Sequence, residues 1–301
     1  MIGLGIAMED KKMQKLAPLL VAAASVLWGI LFVFVRKLSE ADFSAMDVVC
    51  VRAYGSVAVL FPGLFVVNRK LLKVRVKDSW CFVGTGVFSI VFFSYCYFRN
   101  VQVSSAAFAS ILMYTSPVWV TLLSMIFFKE KMNRSKWIAL VMALVGCVLV
   151  SGMIGGAGAV SVQGILLGLG SGIGYGLYSI FGRFALNKGY HPMTVSAYTF
   201  LLACVGVLPF VSVSSIINKF VQNPMLLVPA LCMAVLSTAM SFSLYTLGLA
   251  HMEPGRAAVL ATLEPIVSTV VGVAFYQESI SVTMFAGIVL VLVSSIIISK
   301  K

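Results

Sequence analysis

Charge is scarce in this chain. Ten residues are Asp or Glu, two are His, and charged side chains make up 11% of the 301 residues, against about 25% in a soluble globular domain. So little charge cannot cover a water-facing surface, which excludes a soluble fold. The two histidines, His191 and His251, lie apart at loops, with no HExxH pair and no CxxC anywhere. A zinc site therefore lacks its ligands. The six cysteines (Cys50, Cys81, Cys96, Cys147, Cys204, Cys232) all stand inside apolar runs and read as small core residues. Without a nucleophile and base or a metal cluster, a membrane-embedded enzyme has nothing to work with. No catalytic residue, metal or cofactor is expected.

What is present is apolar sequence, 60% of the chain. It divides at charged or turn-rich breaks into ten runs: 16–35, 46–67, 79–98, 104–128, 134–152, 162–182, 193–213, 225–249, 255–276 and 280–299. Each is about the 20 residues that a helix needs to cross a bilayer. None shows the alternation of a membrane barrel. The expectation is an all-α integral membrane protein of about ten transmembrane helices, with little length left for a soluble output domain. Residues 1–15 are expected as a cytoplasmic segment, and 16–35 as a span that is retained rather than cleaved.

The net charge of +12 follows from loop placement and does not call for nucleic acid. With the N-terminus inside, seventeen Lys and Arg fall in cytoplasmic segments and four, Arg36, Lys37, Arg99 and Lys219, in external ones, with Arg52 inside a span. This bias places both termini in the cytoplasm.

The chain repeats itself. At an offset of 147, Trp28-Gly29 falls on Tyr175-Gly176 and Arg36 on Arg183; at 148, Tyr97 falls on Tyr245, Pro117 on Pro265 and Glu130 on Glu278. Five spans per half is an odd number, so like halves must cross the membrane in opposite senses. The loop charges agree: KEKMNRSK in the first half corresponds to QESISVTM in the second. The expected organisation is a first five-helix repeat at 16–152, an external linker at 153–161, and a second, inverted repeat at 162–299. Inverted repeats of this kind are typical of secondary transporters, because two like halves can exchange conformations.

At these residues the chain resembles the drug/metabolite transporter superfamily, in its ten-helix EamA-type branch. The carriers are Trp28-Gly29, Tyr97, Ala106-Ala107, Pro117 and Phe128-Lys129-Glu130. In the second half they are Tyr245, Arg256-Ala257, Leu263-Glu264-Pro265, Glu278 and Gly287. The resemblance implies two inverted five-helix halves around a central cavity, a bacterial cytoplasmic (inner) membrane location, and export of amino acids, other metabolites or toxic compounds.

Glu264 is the acidic residue set deepest in an apolar run. It lies about ten residues, or about 15 Å, into its span. A carboxyl at that depth is costly and faces a bundle interior or a wet cavity. It reads as a proton acceptor or a ligand for a substrate amine, against a structural carboxyl joining two helices. Its repeat partner is Ser116. Trp28, Tyr114, Tyr175 and Tyr178 fall at similar depth, and polar-edged aromatics suit a cavity for an organic solute. The expected substrate-binding set is Trp28, Tyr114, Ser116, Tyr175, Tyr178 and Glu264. Tyr97 and Tyr245, near opposite membrane faces, are candidate gates. Pro117 and Pro265 each remove a helix hydrogen bond and are expected to kink their helices, with a hinge role possible in principle beside the architectural one. Arg52 is expected to snorkel or to pair with Asp47, with a hold on a substrate carboxylate as the functional alternative. His251, Glu253 and Arg256 are expected in a solvated turn, and Glu130 and Glu278 as membrane-edge anchors. The glycine run 164–176 does not match a nucleotide-binding spacing and reads as a close-packing surface.

The function expected is a secondary transporter that exports small amphipathic metabolites, amino acids or related compounds, by alternating access. The alternative is a proton-driven exporter of cationic drugs. Expected partners are the small-molecule substrate, membrane lipids and, if transport is coupled, protons. The sequence leaves monomer and homodimer open.

Overall fold

The computed structural model describes residues 2–104, 106–150, 161–277 and 281–299. Glu278 and linker residues 153–160 lie outside the described residues. Ten long helices and one short one account for most of the rest, with no strand among the described residues. Helix α1 is Ile2–Ser39, so residues 2–15 are helical and run on into the first span. Helix α2 is Ala45–Val67. Helix α3 (79–103) joins Ser79–Val83, a π-helical stretch Gly84–Val91, and Phe92–Val103. Helix α4 (106–128) is broken into Ala106–Met113 and Ser116–Phe128. Then follow α5 (Arg134–Val150), α6 (Val162–Asn187), α7 (Pro192–Val207) and a short α8 (Val213–Gln222). Helix α9 (227–251) contains a π-helical stretch at Val235–Met240. Helix α10 (254–276) is broken into Pro254–Ala261 and Glu264–Tyr276, and α11 is Val282–Ser299.

Nine helices among the described residues are long and apolar enough to cross a membrane. Helix α5 is the tenth long helix, with 17 described residues. Large apolar side chains such as Ile126, Leu166 and Phe275 face outward and exposed, which is the surface that lipid covers. The chain is thus an all-α, multi-span membrane protein.

Local chemistry sets the helix ends. The Ser44 hydroxyl accepts from Asp47 N (3.1 Å) while Ser44 N donates to the Asp47 carboxylate (3.0 Å), a capping box that starts α2. Ser161 caps α6 by accepting from Gly164 N at 3.0 Å. Helix α8, absent from the sequence expectation, lies over the α1–α2 turn, where Phe220 meets Phe43 with ring centroids 5.1 Å apart.

The breaks in α4 and α10 fall at 114–115 and 262–263, the same place in both repeats. Pro117 and Pro265 are the second residues of the restarted helices, where a missing N–H costs nothing. The expected proline kinks are therefore full interruptions, in which the ring favours a new start. At each break a threonine closes a tight turn, its hydroxyl and its N–H both donating to one carbonyl: Thr115 to Leu112 O (2.6 Å from the hydroxyl) and Thr262 to Val259 O (2.7 Å). Both helices also end alike, at left-handed Lys129 (φ 55°) and Gln277 (φ 56°).

Packing follows a two-fold pattern. Helix α1 packs on α9 and on both parts of α10; correspondingly, α6 packs on α3 and on both parts of α4. The pairs α2·α7 and α5·α11 each join equivalent helices. Each repeat thus lends its first helix to the other half. A glycine makes this approach possible. A Cβ on Gly29 would lie 2.9 Å from Glu264 O and 2.4 Å from Val267 Cβ; one on Gly176 would lie 3.4 Å from Ser116 O and 2.9 Å from Val120 Cγ2. In both halves the first helix rests against the other half's break. Gly168 and Gly172 do the same further along α6, against Leu112 and Thr115, so the glycine run is a packing surface.

Candidate functional site

The two breaks meet at a cavity of about 520 Å³ between the halves. All six substrate-binding candidates line it: Trp28, Tyr114, Ser116, Tyr175, Tyr178 and Glu264. The gate or hinge candidates Tyr97, Tyr245 and Pro265 line it as well; Pro117 does not.

Glu264 is the first residue of the restarted part of α10, so its carboxylate sits at a helix N-terminus, where the backbone dipole favours negative charge. The Tyr175 hydroxyl donates to Glu264 Oε2 at 2.7 Å. Tyr175 reaches that position because Gly176 seats α6 against α4, and its ring is held edge-on by Phe93 (5.2 Å between centroids) and Trp28 (6.3 Å). Trp28 in turn packs on Phe242 (5.0 Å) and Tyr245 (5.2 Å). The tyrosine hydroxyls below are satisfied across helices: Tyr178 with Thr246 and Tyr245 with Ser179, each at 2.6 Å. The result is a rigid aromatic floor. Tyr97, hydrogen-bonded to Ser110 at 3.1 Å, stands on the wall toward the mouth. Tyr114 lies at the break in α4, in a cluster with Met113, Cys147, Ile266 and Val291.

Arg52 departs from expectation. It neither snorkels nor pairs with Asp47. Asp47 is held by Lys219 at 3.0 Å, while Arg52 is buried, lines the cavity and lies 5.8 Å from the centroid of Phe242. Its position in an apolar run was the signal, because intramembrane arginines are costly unless they serve something. Phe242, which carried no polar atom to draw notice, is the ring that joins Arg52 to Trp28.

The mouth lies at the end of the bundle that carries Val35, Val48, Phe98 and Val150. The opposite end is closed by a charged cluster that joins the halves. Lys136 donates to Glu130 (3.1 Å) and pairs with Glu253 (2.6 Å), and Gly255 N donates to Glu130 at 3.3 Å. Arg183 donates to the carbonyls of Ala250 (3.4 Å) and Met252. The turn at 251–256 is accordingly tied down, not merely solvated. Glu253 is in the cluster, Arg256 donates to Ile298 O at 2.6 and 2.9 Å, and His251 bonds Leu247 O at 3.0 Å. Glu130 anchors an interface between repeats.

No group of His, Cys, Asp and Glu among the described residues could hold a metal ion. A concave, mostly apolar site with a few placed polar groups is suited to holding an organic solute without covalent chemistry.

Comparison with known proteins agrees. The profile of the EamA-like transporter family matches twice, at residues 15–152 and 162–300. An uncharacterized transporter of Archaeoglobus fulgidus is 25% identical over 284 residues, 94% of this chain and 98% of its own length. The uncharacterized transporter YwfM of Bacillus subtilis is 25% identical over 251 residues, 82% of this chain and 83% of its own. A solved crystal structure superposes with a TM-score of 0.77 at 15% identity, covering 93% of this chain and 95% of that one, a likeness of fold. Two family matches filling almost the whole chain, on a helical bundle with a cavity at its centre, lead to one conclusion: this multi-span protein of the cytoplasmic membrane belongs to the EamA-like transporter family.

Proposed function

We propose that the protein exports small amphipathic metabolites, amino acids or related compounds, by alternating access. The observation that carries this reading is the cavity between the repeats, open at one end, floored by aromatic rings and Glu264, and shut at the other end by the Glu130–Lys136–Glu253 cluster. Loop charges put the termini in the cytoplasm, so the open end faces outward and the cluster is the cytoplasmic closure. Exchanging the conformations of two like halves would open the cytoplasmic end and shut the mouth. The half-helix start at Glu264 and the aromatic floor supply the binding groups.

A lipophilic-cation exporter is the second reading, favoured by the same carboxylate among aromatic rings. Counterflow in proteoliposomes separates the two. Vesicles loaded with unlabelled amino acid should accumulate the labelled form, and Glu264→Gln should lower the rate at least tenfold. Cation exchange with no amino acid counterflow rejects the metabolite reading. If Glu264 also relays protons, the Gln variant loses pH-driven uptake more severely than counterflow.

A further inference from the structure

Two donors at the cavity have no acceptor among the described residues. Arg52 Nε and Trp28 Nε1 are buried and make no hydrogen bond among the described residues, although both residues line the cavity. Arg52 joins no ion pair among the described residues. A buried guanidinium with no carboxylate in contact is a costly arrangement to keep; the charge it feels is that of Glu264 in the same cavity, which does not reach it as an ion pair. The protein had a carboxylate one turn or so away and did not use it: Asp47 is occupied by its own helix cap and by Lys219. The side chain is instead directed at Phe242 on the cavity floor, 5.8 Å from the ring centroid. Phe242 packs on Trp28, and Trp28 on Tyr175, whose hydroxyl holds Glu264. The cavity therefore presents a cation, Arg52, at one end of a row of rings, a carboxylate, Glu264, at the other, and the indole of Trp28 between them.

The geometry points to a carboxylate-binding subsite at the Arg52 guanidinium, complementary to an ammonium subsite at Glu264 with the rings of Phe242, Trp28 and Tyr175 between them, which makes the ligand an amino carboxylic acid with an apolar side chain. The inference rests on the metabolite-transport reading above and adds the group that selects within it. A guanidinium presents a planar fork that a carboxylate can accept from bidentately. A ligand carrying only an amine satisfies Glu264 and leaves Arg52 without a carboxylate, so it forfeits one charged contact and meets a like charge. That is an element of rejection as well as of attraction, directed against the lipophilic cations that the aromatic rings alone would welcome.

The test compares ligands that differ only in the carboxylate. The purified full-length protein is titrated with phenylalanine, leucine and methionine, and with their decarboxylated amines and methyl esters, read by thermal stabilisation and by competition in counterflow. A charge-assisted contact of this kind corresponds to about a 10- to 100-fold difference in affinity. Wild type should prefer each acid to its amine and ester by that factor, a comparison that needs no variant. Arg52→Gln should bring the acids down to the level of the amines while leaving amine affinity unchanged or improved, and Arg52→Lys should recover part of the preference. Equal affinity for acid and amine in wild type, or an Arg52→Gln loss shared by every ligand, overturns the subsite and leaves the transport reading standing. Absence of any binding or exchange across the acids overturns both.

Discussion

Replacing Lys136 by Met removes the cation that joins the two repeats at the closed end of the cavity. The Lys136 amine lies 3.1 Å from Glu130 and 2.6 Å from Glu253, with side-chain exposures of 11% for Lys136, 2% for Glu130 and 46% for Glu253. The two arms are unequal. Stripping the partner from the buried Glu130 carboxylate costs about 3–5 kcal/mol, whereas the half-exposed Glu253 arm contributes about 0–1 kcal/mol. Gly255 N continues to bond Glu130, which softens the loss. A net penalty of about 3 kcal/mol on the closed arrangement shifts the balance between facings roughly 100-fold toward the cytoplasm-open one. The assay is labelling of a single cysteine placed at Ala258, which lines the cavity, in a background whose six cysteines are replaced. A membrane-impermeant maleimide is applied to the cytoplasmic face of inside-out vesicles. Lys136→Met should raise the labelling rate by one to two orders of magnitude. Adding Glu130→Gln removes the stranded charge and should return a large part of that increase, because the pair is coupled. An unchanged rate in the single variant, with the protein still monodisperse, refutes the reasoning that this cluster holds the cytoplasmic side shut.

Other outcomes follow from the same contacts. Gly29→Ala forces a Cβ to within 2.4 Å of Val267 Cβ and 2.9 Å of Glu264 O; overpacking of about 1–3 kcal/mol should lower the melting temperature by several degrees and weaken ligand binding, measured by thermal denaturation with and without ligand. Tyr175→Phe keeps the ring packing but removes the 2.7 Å donor to Glu264. About tenfold weaker binding of amines and amino acids alike is expected from a hydrogen bond to a charged group, and wild-type affinity would show that the hydroxyl does not position the carboxylate.

The spans, the repeat and the tyrosines, Trp28 and Glu264 of the cavity wall were legible in the sequence because each rests on a strong local signal. Apolar length marks helices, and a carboxyl such as Glu264 or a tryptophan such as Trp28 deep in such a run has few roles. What the sequence hid was relational. Pro117 and Pro265 announce a disturbed helix, but whether a helix bends or stops depends on whether something fills the gap, and here Gly29 and Gly176 bring the opposite half against the restart. Arg52 was harder still: its sequence neighbour Asp47 offered an obvious partner, and only the placement of Lys219, far along the chain on α8, shows that partner already taken. Helix α8, ten residues long, carries a helical period in Val213, Ile216, Ile217, Phe220 and Val221, but it is too short and too polar to count among runs that cross a bilayer. The turn at 251–256 looked solvated because its tethers, Lys136 and Ile298 O, come from distant helices.

The two-fold packing has an arithmetic of its own. If each half can take the other's shape, then any contact present in both halves is counted once in each end state and drops out of their difference. The matched breaks, the paired left-handed helix ends and the Gly29 and Gly176 approaches are neutral on that scale. Only the mismatches weigh: Ser116 against Glu264, Trp28 against Tyr175, Lys136 against Met284. The preference of this molecule for one side of the membrane is therefore written where the repeats differ, these three pairs at the cavity and its closure among them, and copying a residue from one repeat into its counterpart in the other is a way to redirect the machine while sparing the scaffold.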